Sequence, residues 1–335
     1  MDSKKILVIR LSSLGDVVLA IPVLRALHQR FPRARIHIAT RTEYVPLIRP
    51  SPWVDSAQAL DRKGEKGFVA YLKGIRREGY DLVIDLHATL RSRMIAQASG
   101  AGNVLRYRKA ALGRRALVAF KAKKAFQAKH VVDRYLECLL PLGIEKPSRL
   151  PEVVLEAKEK NFGRELLRES GPFVALVPGA KHATKRWLKE GFVEVGRRLW
   201  AEGKVGSVVL GSEEEKVLVK EVVGDIGEGA KVSCGMGLRQ MASVLASCKV
   251  VVTNDSGPMH LATAVGTPVV ALFGPTVEAF GFFPIGDRNA VLQRDLPCRP
   301  CSLHGTEECP EGHFKCMRDI TEGEVLGTVR GVLAR

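Results

Sequence analysis

From Ile6 almost to the last residue, short runs of consecutive apolar residues alternate with longer stretches whose apolar positions recur every three or four residues. A continuous apolar run of four or five residues reads as a strand buried on both faces, and the longer period as an amphipathic helix laid over it. In the first half the pattern predicts strands over Ile6–Ile9, Ile36–Ala39, Leu82–Leu86 and Val104–Tyr107, with helices over Asp16–Arg30 and Phe68–Gly79. In the second half it predicts strands over Phe173–Val177, Ser207–Leu210, Lys231–Ser233, Val250–Thr253 and Val269–Phe273. Helices are expected there near Lys189–Ala201, Glu213–Val223, Leu238–Ser247 and Ser256–Val265, with a last one over Glu322–Leu333. This alternation is the signature of parallel α/β layers. Pro141–Pro151, with three prolines and Gly143, reads as a linker, placing one domain over 1–150 and a second, ending in the terminal helix, over 151–335. Two doubly wound domains in tandem would face each other across a cleft, with ligands at the carboxyl ends of their strands.

Length and composition agree with this division. A chain of 335 residues exceeds one ordinary core, and 46% hydrophobic with 26% charged residues is a globular balance. No apolar run approaches the roughly 18 residues of a membrane span. The opening MDSKK is followed by no apolar signal region, so a cytoplasmic location is expected.

Charge adds something the pattern does not show. Residues 1–150 hold 29 Lys and Arg against 12 Asp and Glu, whereas the remainder holds 23 against 24. Within 101–129 there are nine basic residues (Arg106, Arg108, Lys109, Arg114, Arg115, Lys121, Lys123, Lys124, Lys129) and no acidic one. Such a stretch attracts nucleic acid, anionic lipid headgroups or a phosphorylated substrate, or simply forms a solvated helical face. Nucleic-acid binding would call for interleaved aromatics, and only Tyr107, Phe120 and Phe126 occur there. Cys298, Cys301, Cys309 and Cys316 begin with zinc-knuckle spacing but continue irregularly; a metal site, a disulfide and plain thiols are all compatible with it.

Four motifs carry chemistry. Arg10-Leu11-Ser12-Ser13-Leu14-Gly15-Asp16 follows the first strand with one glycine rather than the three of a dinucleotide fingerprint, which argues against NAD. Asp16 there is either a helix cap or a general base at a strand's carboxyl end. Pro178-Gly179-Ala180-Lys181-His182-Ala183-Thr184-Lys185-Arg186-Trp187 joins a glycine turn to positive charge suited to phosphates, without P-loop spacing. Gly211-Ser212-Glu213-Glu214-Glu215 puts acidic groups where nucleotide folds hold ribose. Thr253-Asn254-Asp255-Ser256-Gly257-Pro258-Met259-His260-Leu261 opens a helix with free amides, an anion site. Asp255 would repel a phosphate, so it is expected to order the turn or bond a sugar hydroxyl, and His260 to be structural.

In order and spacing these motifs resemble the ADP-heptose:lipopolysaccharide heptosyltransferase family. The stretches that carry the likeness are RLSSLGDVVLAIPVLRAL, PGAKHATKRWLKEGF and TNDSGPMHLATAVGTPVVALFGPT, and the CRPCSLHG…CPEGHFKCMRDI tail looks like the heptosyltransferase II subgroup. The resemblance implies an α/β GT-B fold of two Rossmann-like domains, the first for acceptor and the second for nucleotide sugar. It implies an inverting transferase that moves L-glycero-D-manno-heptose from ADP-heptose onto the lipopolysaccharide inner core, adding the second heptose. By the same likeness Asp16 is the base and Lys185 the pyrophosphate lysine, with Thr184, Ser256 and Gly257 assisting. Glu213 or Glu214 would hold ribose, Met236 would pack on adenine, and Ser13, Gly15, Asp255 and His260 would line the donor site. Arg62, Lys63 and Arg91 would meet an acidic lipid A–Kdo acceptor. No cofactor or metal is implied for transfer, zinc at the four cysteines remaining the open alternative. The enzyme would work peripherally on the cytoplasmic face of the anionic inner membrane, without nucleic acid. The remaining readings are a relative using another nucleotide sugar or acceptor, a regulatory sensor of nucleotide sugars, and a basic nucleic-acid-binding protein.

Overall fold

The first apolar run becomes the centre of a parallel sheet. In a computed structural model describing residues 4–61, 65–121, 129–168 and 171–334, the chain opens with β1 (Lys5–Ile9), α1 (Leu14–Val18), α2 (Ile21–Arg30), β2 (Arg35–Arg41) and α3 (Val45–Ile48). β3 (Ser56–Leu60), α4 (Glu65–Glu78), β4 (Leu82–Asp85), α5 (Leu90–Ala98) and β5 (Asn103–Arg106) complete the sheet, in the order β3-β2-β1-β4-β5. All its pairings are parallel, Ile9 standing beside Ala39 on one side and Asp85 on the other. The helix expected over Asp16–Arg30 is two helices. Pro22 enters at the start of α2, where it has no N–H to give and its ring crowds the preceding turn, so the two segments cannot fuse.

The contacts divide the chain into two units: 1–109 with 129–154, and 110–128 with 155–335. α6 (Ala111–Phe120) thus groups with the second unit and α7 (Val131–Leu136) with the first. In the second unit follow α8 (Ala157–Leu166), β6 (Phe173–Val177), α9 (Lys189–Gly203), β7 (Gly206–Gly211), α10 (Lys216–Ile226), β8 (Ala230–Cys234) and α11 (Leu238–Ser247). The chain continues through β9 (Val250–Asn254), α12 (Gly257–Ala264), β10 (Val269–Phe273), β11 (Ala290–Gln293), α13 (Lys315–Arg318) and α14 (Glu322–Leu333). The sheet order β11-β10-β9-β6-β7-β8 is that of a dinucleotide-binding fold, with every pairing parallel.

Each core is built from the runs that marked the strands. Leu7, Ile9, Ala39, Val83 and Ile95 pack in the first unit; Val174, Leu176, Val209, Val252 and Leu272 pack in the second, under Val325, Leu326 and Val329 of α14. The terminal helix therefore belongs to the second core. Trp187 anchors that core: its indole Nε1 donates to Ile320 O at 3.0 Å, and its ring meets Phe192 edge-on at 5.1 Å. Such a pair adds about 0.5–1.5 kcal/mol beyond the area it buries. Both sheets reverse strand order near their centres, at β1/β4 and at β6/β9, and in open α/β sheets ligands bind outside the carboxyl ends at this reversal.

Candidate active site

In the first unit the reversal point is occupied by charge. Asp16 lies in the first turn of α1, and its carboxylate reaches back to accept from Ser13 N at 3.1 Å and Ser13 Oγ at 2.9 Å. Arg10, one residue beyond β1, places Nη2 at 2.5 Å from Asp16 Oδ1, and Tyr135 OH of α7 donates to the same oxygen at 3.2 Å. Arg10 is itself fixed: Nη1 donates to Leu86 O at 2.6 Å, and its guanidinium lies 5.5 Å from the Tyr135 ring centroid. Burial pushes the Asp16 pKa up, but the Arg10 charge, the Ser13 amide and the side-chain bonds of both residues outweigh it, leaving the carboxyl below its ordinary value. The helix-cap and functional readings of Asp16 are not exclusive. The carboxylate caps its own helix while remaining ionised and, though largely covered, still reached by solvent.

The neighbouring strand adds a neutral group. Asp85, fully buried at the end of β4, accepts from His87 N at 3.1 Å, Ala88 N at 2.8 Å, Ser92 Oγ at 3.1 Å and Arg106 Nε at 2.8 Å. The turn it ties holds Ala88 in the left-handed region at φ +48°, an uncommon position for alanine. Burial, Arg10 and Lys109 press the His87 pKa down to about 4, so its imidazole is uncharged at neutral pH.

In the second unit three motifs converge at the β6/β9 reversal. Asn254, wholly buried, accepts from Trp187 N at 2.9 Å and donates through Nδ2 to Pro178 O at 2.8 Å and Gly179 O at 3.3 Å. One amide thus joins the end of β9 to the loop after β6. Lys185 Nζ lies 2.6 Å from Asp255 Oδ2, which also accepts from Thr276 Oγ1 at 2.7 Å. Asp255 is accordingly a counter-charge to the lysine. Ser256 caps α12 in extended conformation beside Gly257, both half-buried, and His260 is buried in the helix's first turns. The Thr184 hydroxyl faces away into structure: it donates to Thr306 O and accepts from Thr306 N, each at 2.8 Å.

At the β7 end Gly179 carries no side chain because the Glu215 carboxylate occupies the place a Cβ would take, while Glu215 Oε2 accepts from Ser212 N at 2.8 Å. Glu213 is exposed and accepts from Lys216 Nζ at 2.7 Å; its other oxygen crowds Gly235, next to the half-buried Met236. Glu213 thus stands against the turn that carries Met236. The helix expected from Glu213 begins only at Lys216, leaving 212–215 as a loop.

Of the expected acceptor residues, Arg91 is exposed at the start of α5 with its guanidinium 5.1 Å from the Phe68 ring centroid. Arg62 and Lys63 lie outside the described residues. Gly15 is buried within α1. All seven cysteines are free thiols. Burial raises Cys301, and raises Cys316 to about 11; Cys298 Sγ lies 3.9 Å from His313 Nε2. Among the described residues no three His, Cys, Asp or Glu side chains are gathered to hold a metal ion.

Five residues of these clusters carry no assignment in the sequence pattern. Arg10 stood inside the first motif, where a buried arginine beside an aspartate was a readable signal. Asn254 and Glu215 lie inside two of the motifs, whose pattern alone gives them no role. His87 follows a predicted strand, the usual place for a functional group. Tyr135, 119 positions from Asp16, had no local signal.

Two parallel sheets of this order, each with a polar cluster at its strand reversal, define an α/β protein of two Rossmann-like units. The chain belongs to glycosyltransferase family 9 (heptosyltransferase), whose model matches residues 68–312. It is 26% identical over 353 positions to lipopolysaccharide heptosyltransferase 2 of Escherichia coli strain K12, covering 98% of each protein. The solved E. coli ADP-heptose lps heptosyltransferase II superposes with a TM-score of 0.78 at 25% identity over 98% of both chains. The family 9 glycosyl transferase of Veillonella parvula DSM 2008 superposes at 0.81, with 23% identity over 99% of this chain and 97% of that one. The expected GT-B fold and transferase class are thereby met. No helix among the described residues is long and apolar enough to cross a membrane.

Proposed function

We propose that this enzyme transfers L-glycero-D-manno-heptose from ADP-heptose to the lipid A–Kdo inner core of lipopolysaccharide, adding the second heptose with inversion. The observation that carries the reading is the ionised, fourfold-held Asp16 at the strand reversal of the first unit. Acceptor chemistry falls to that unit and the donor to the second. As the acceptor oxygen bonds the anomeric carbon from the face opposite the leaving group, the bond to the β-phosphate oxygen of ADP breaks and the proton passes to the Asp16 carboxylate. A carboxylate held low in pKa is a weak base, sufficient here because the acceptor hydroxyl becomes strongly acidic once its oxygen bonds carbon. A positioned base contributes roughly 10²–10⁴-fold. Lys185 and the amides of Ser256 and Gly257 offset charge on the leaving pyrophosphate, work that needs no metal ion. The names of the relatives support this donor and acceptor.

The test is ADP release from ADP-heptose with heptose-primed and unprimed lipid A–Kdo, for the wild type and Asp16→Ala. Release with the primed acceptor alone, lost in the variant, is the expected result. Release with unprimed acceptor would move the enzyme to the first heptose, and none with either would overturn the donor or acceptor.

A further inference from the structure

The basic stretch singled out in the sequence has no part in the transfer chemistry, yet the structure gives it an unusual surface. Leu112 and Phe120 of α6 are 81% and 79% exposed, the two most exposed large apolar side chains among the described residues. They do not sit on the helix at random. With 3.6 residues per turn, Leu112, Ala116, Ala119 and Phe120 fall on one face spanning about 100°, and all four are exposed. Exposed Arg115 borders that stripe. The opposite face is the one that anchors the helix to its unit: Leu117 is buried, Arg114 lies over the Phe282 ring at 5.6 Å, and Lys121 Nζ donates to Pro300 O at 2.6 Å. The apolar face is therefore turned away from the unit's own packing contacts.

We infer that the Leu112–Phe120 face of α6 is a membrane-docking surface that seats on an anionic lipid bilayer. An apolar stripe bordered by positive charge, lying on a helix far too short to span, is the form of an interfacial helix. The charge fixes the partner. Arg108 and Lys109, both exposed, immediately precede the helix, and residues 101–129 contain no acidic side chain. Anionic headgroups complement such a segment and zwitterionic ones do not. A second copy fits poorly, because pairing this face with itself would bring Arg115 toward Arg115. The inference goes beyond the transfer reaction and does not depend on it.

The full-length chain is sedimented with phosphatidylglycerol–phosphatidylethanolamine vesicles and with phosphatidylcholine vesicles, without donor or acceptor, so failure here is separable from failure of the transferase reading. The wild type is expected to bind the anionic vesicles and not the zwitterionic ones, and to release as salt is raised. The double variant Leu112→Ser/Phe120→Ser is expected to bind at least tenfold more weakly, with its thermal midpoint unchanged because both side chains already face solvent. Turnover on a deacylated, water-soluble acceptor should stay at the wild-type level. Equal vesicle binding by wild type and variant, or no binding by the wild type, overturns the inference. So does a wild-type dimer that the variant abolishes, which would give the face to a second copy, and so does a loss of turnover on the soluble acceptor, which would give it to the substrate. Arg115→Glu provides an independent arm: it should weaken anionic binding alone, and an unaltered affinity counts against the docking surface.

Discussion

Arg10 Nη2 and Asp16 Oδ1 stand 2.5 Å apart at the carboxyl end of β1, both largely covered, with Tyr135 against each of them. This ion pair sets the charge state of the proposed base. Burial alone would raise the Asp16 pKa; the pair with Arg10 is the largest of the effects that bring the net below the ordinary carboxyl value. Asp16 therefore stays ionised to lower pH than a free aspartate does. Arg10→Gln removes the largest lowering influence and leaves the raising one opposed by Ser13 alone. The acid limb of the kcat/KM profile should move to higher pH, with the loss of activity greatest on the acidic side. An unmoved limb would show that another group governs it.

The second ion pair makes a prediction about coupling. Lys185 and Asp255, 2.6 Å apart, are both shielded from solvent, and Thr276 holds the aspartate. Lys185→Met should raise the KM for donor by removing phosphate charge, and Asp255→Asn should raise it by releasing the lysine from its fixed position. The double variant should cost less than the sum of the two, with an interaction energy of about 0.5–3 kcal/mol. Strict additivity in isothermal titration with ADP would mean the pair does not position the lysine.

Asn254 offers a stability test with a functional readout. Asn254→Ala leaves the buried Trp187 amide and the Pro178 carbonyl without their partner, at about 1–3 kcal/mol for an unsatisfied buried group. Thermal unfolding should register the loss, and ADP affinity should fall further than stability predicts because the loop bearing Lys185 is no longer tied to β9. If affinity is retained at full occupancy, the amide serves packing alone.

Gly191 decides between two opposing effects. In an exposed helix interior, replacing glycine by alanine gains about 0.8–1 kcal/mol. A Cβ at Gly191, however, would lie 2.5 Å from the Trp187 ring, which is buried, rigid and bonded to Ile320. Overpacking of about 1–3 kcal/mol wins, so Gly191→Ala should lower the thermal midpoint. Gly224, with open space around it in α10, provides the control: Gly224→Ala should raise the midpoint.

The central strands were legible because burial on both faces leaves a run of apolar residues with no other reading; Phe173–Val177 is one such run, entirely buried. Of the four edge strands, β5 and β8 could be read from the pattern, but β3 and β11 could not. β3 is Ser-Ala-Gln-Ala-Leu and β11 Ala-Val-Leu-Gln, half-covered segments whose sequence resembles loop, and they pair only because a neighbouring strand offers an edge. In the candidate site, residues clustered on one turn, such as Asp16 with Ser13, could be read together. Those brought in by topology could not: Tyr135 reaches Asp16 from α7, and Thr306 reaches Thr184 across 122 positions. Asp255 shows a subtler limit. Its negative charge next to an anion site was a contradiction until the structure supplied Lys185 as its partner.

The reciprocal bonds between Thr184 and Thr306 also impose an order on synthesis. Strands β6 to β9 emerge first and contain the order β9-β6-β7-β8, enough to form the inner part of the sheet. The loop that carries Lys185 is fastened to β9 at its two ends by Asn254, but its middle, at Thr184, is held only once Thr306 leaves the ribosome more than a hundred residues later. A nascent chain arrested before that point holds the inner strands with the Lys185 loop tied at its ends and loose between them, so the local order of that loop follows the strands that flank it.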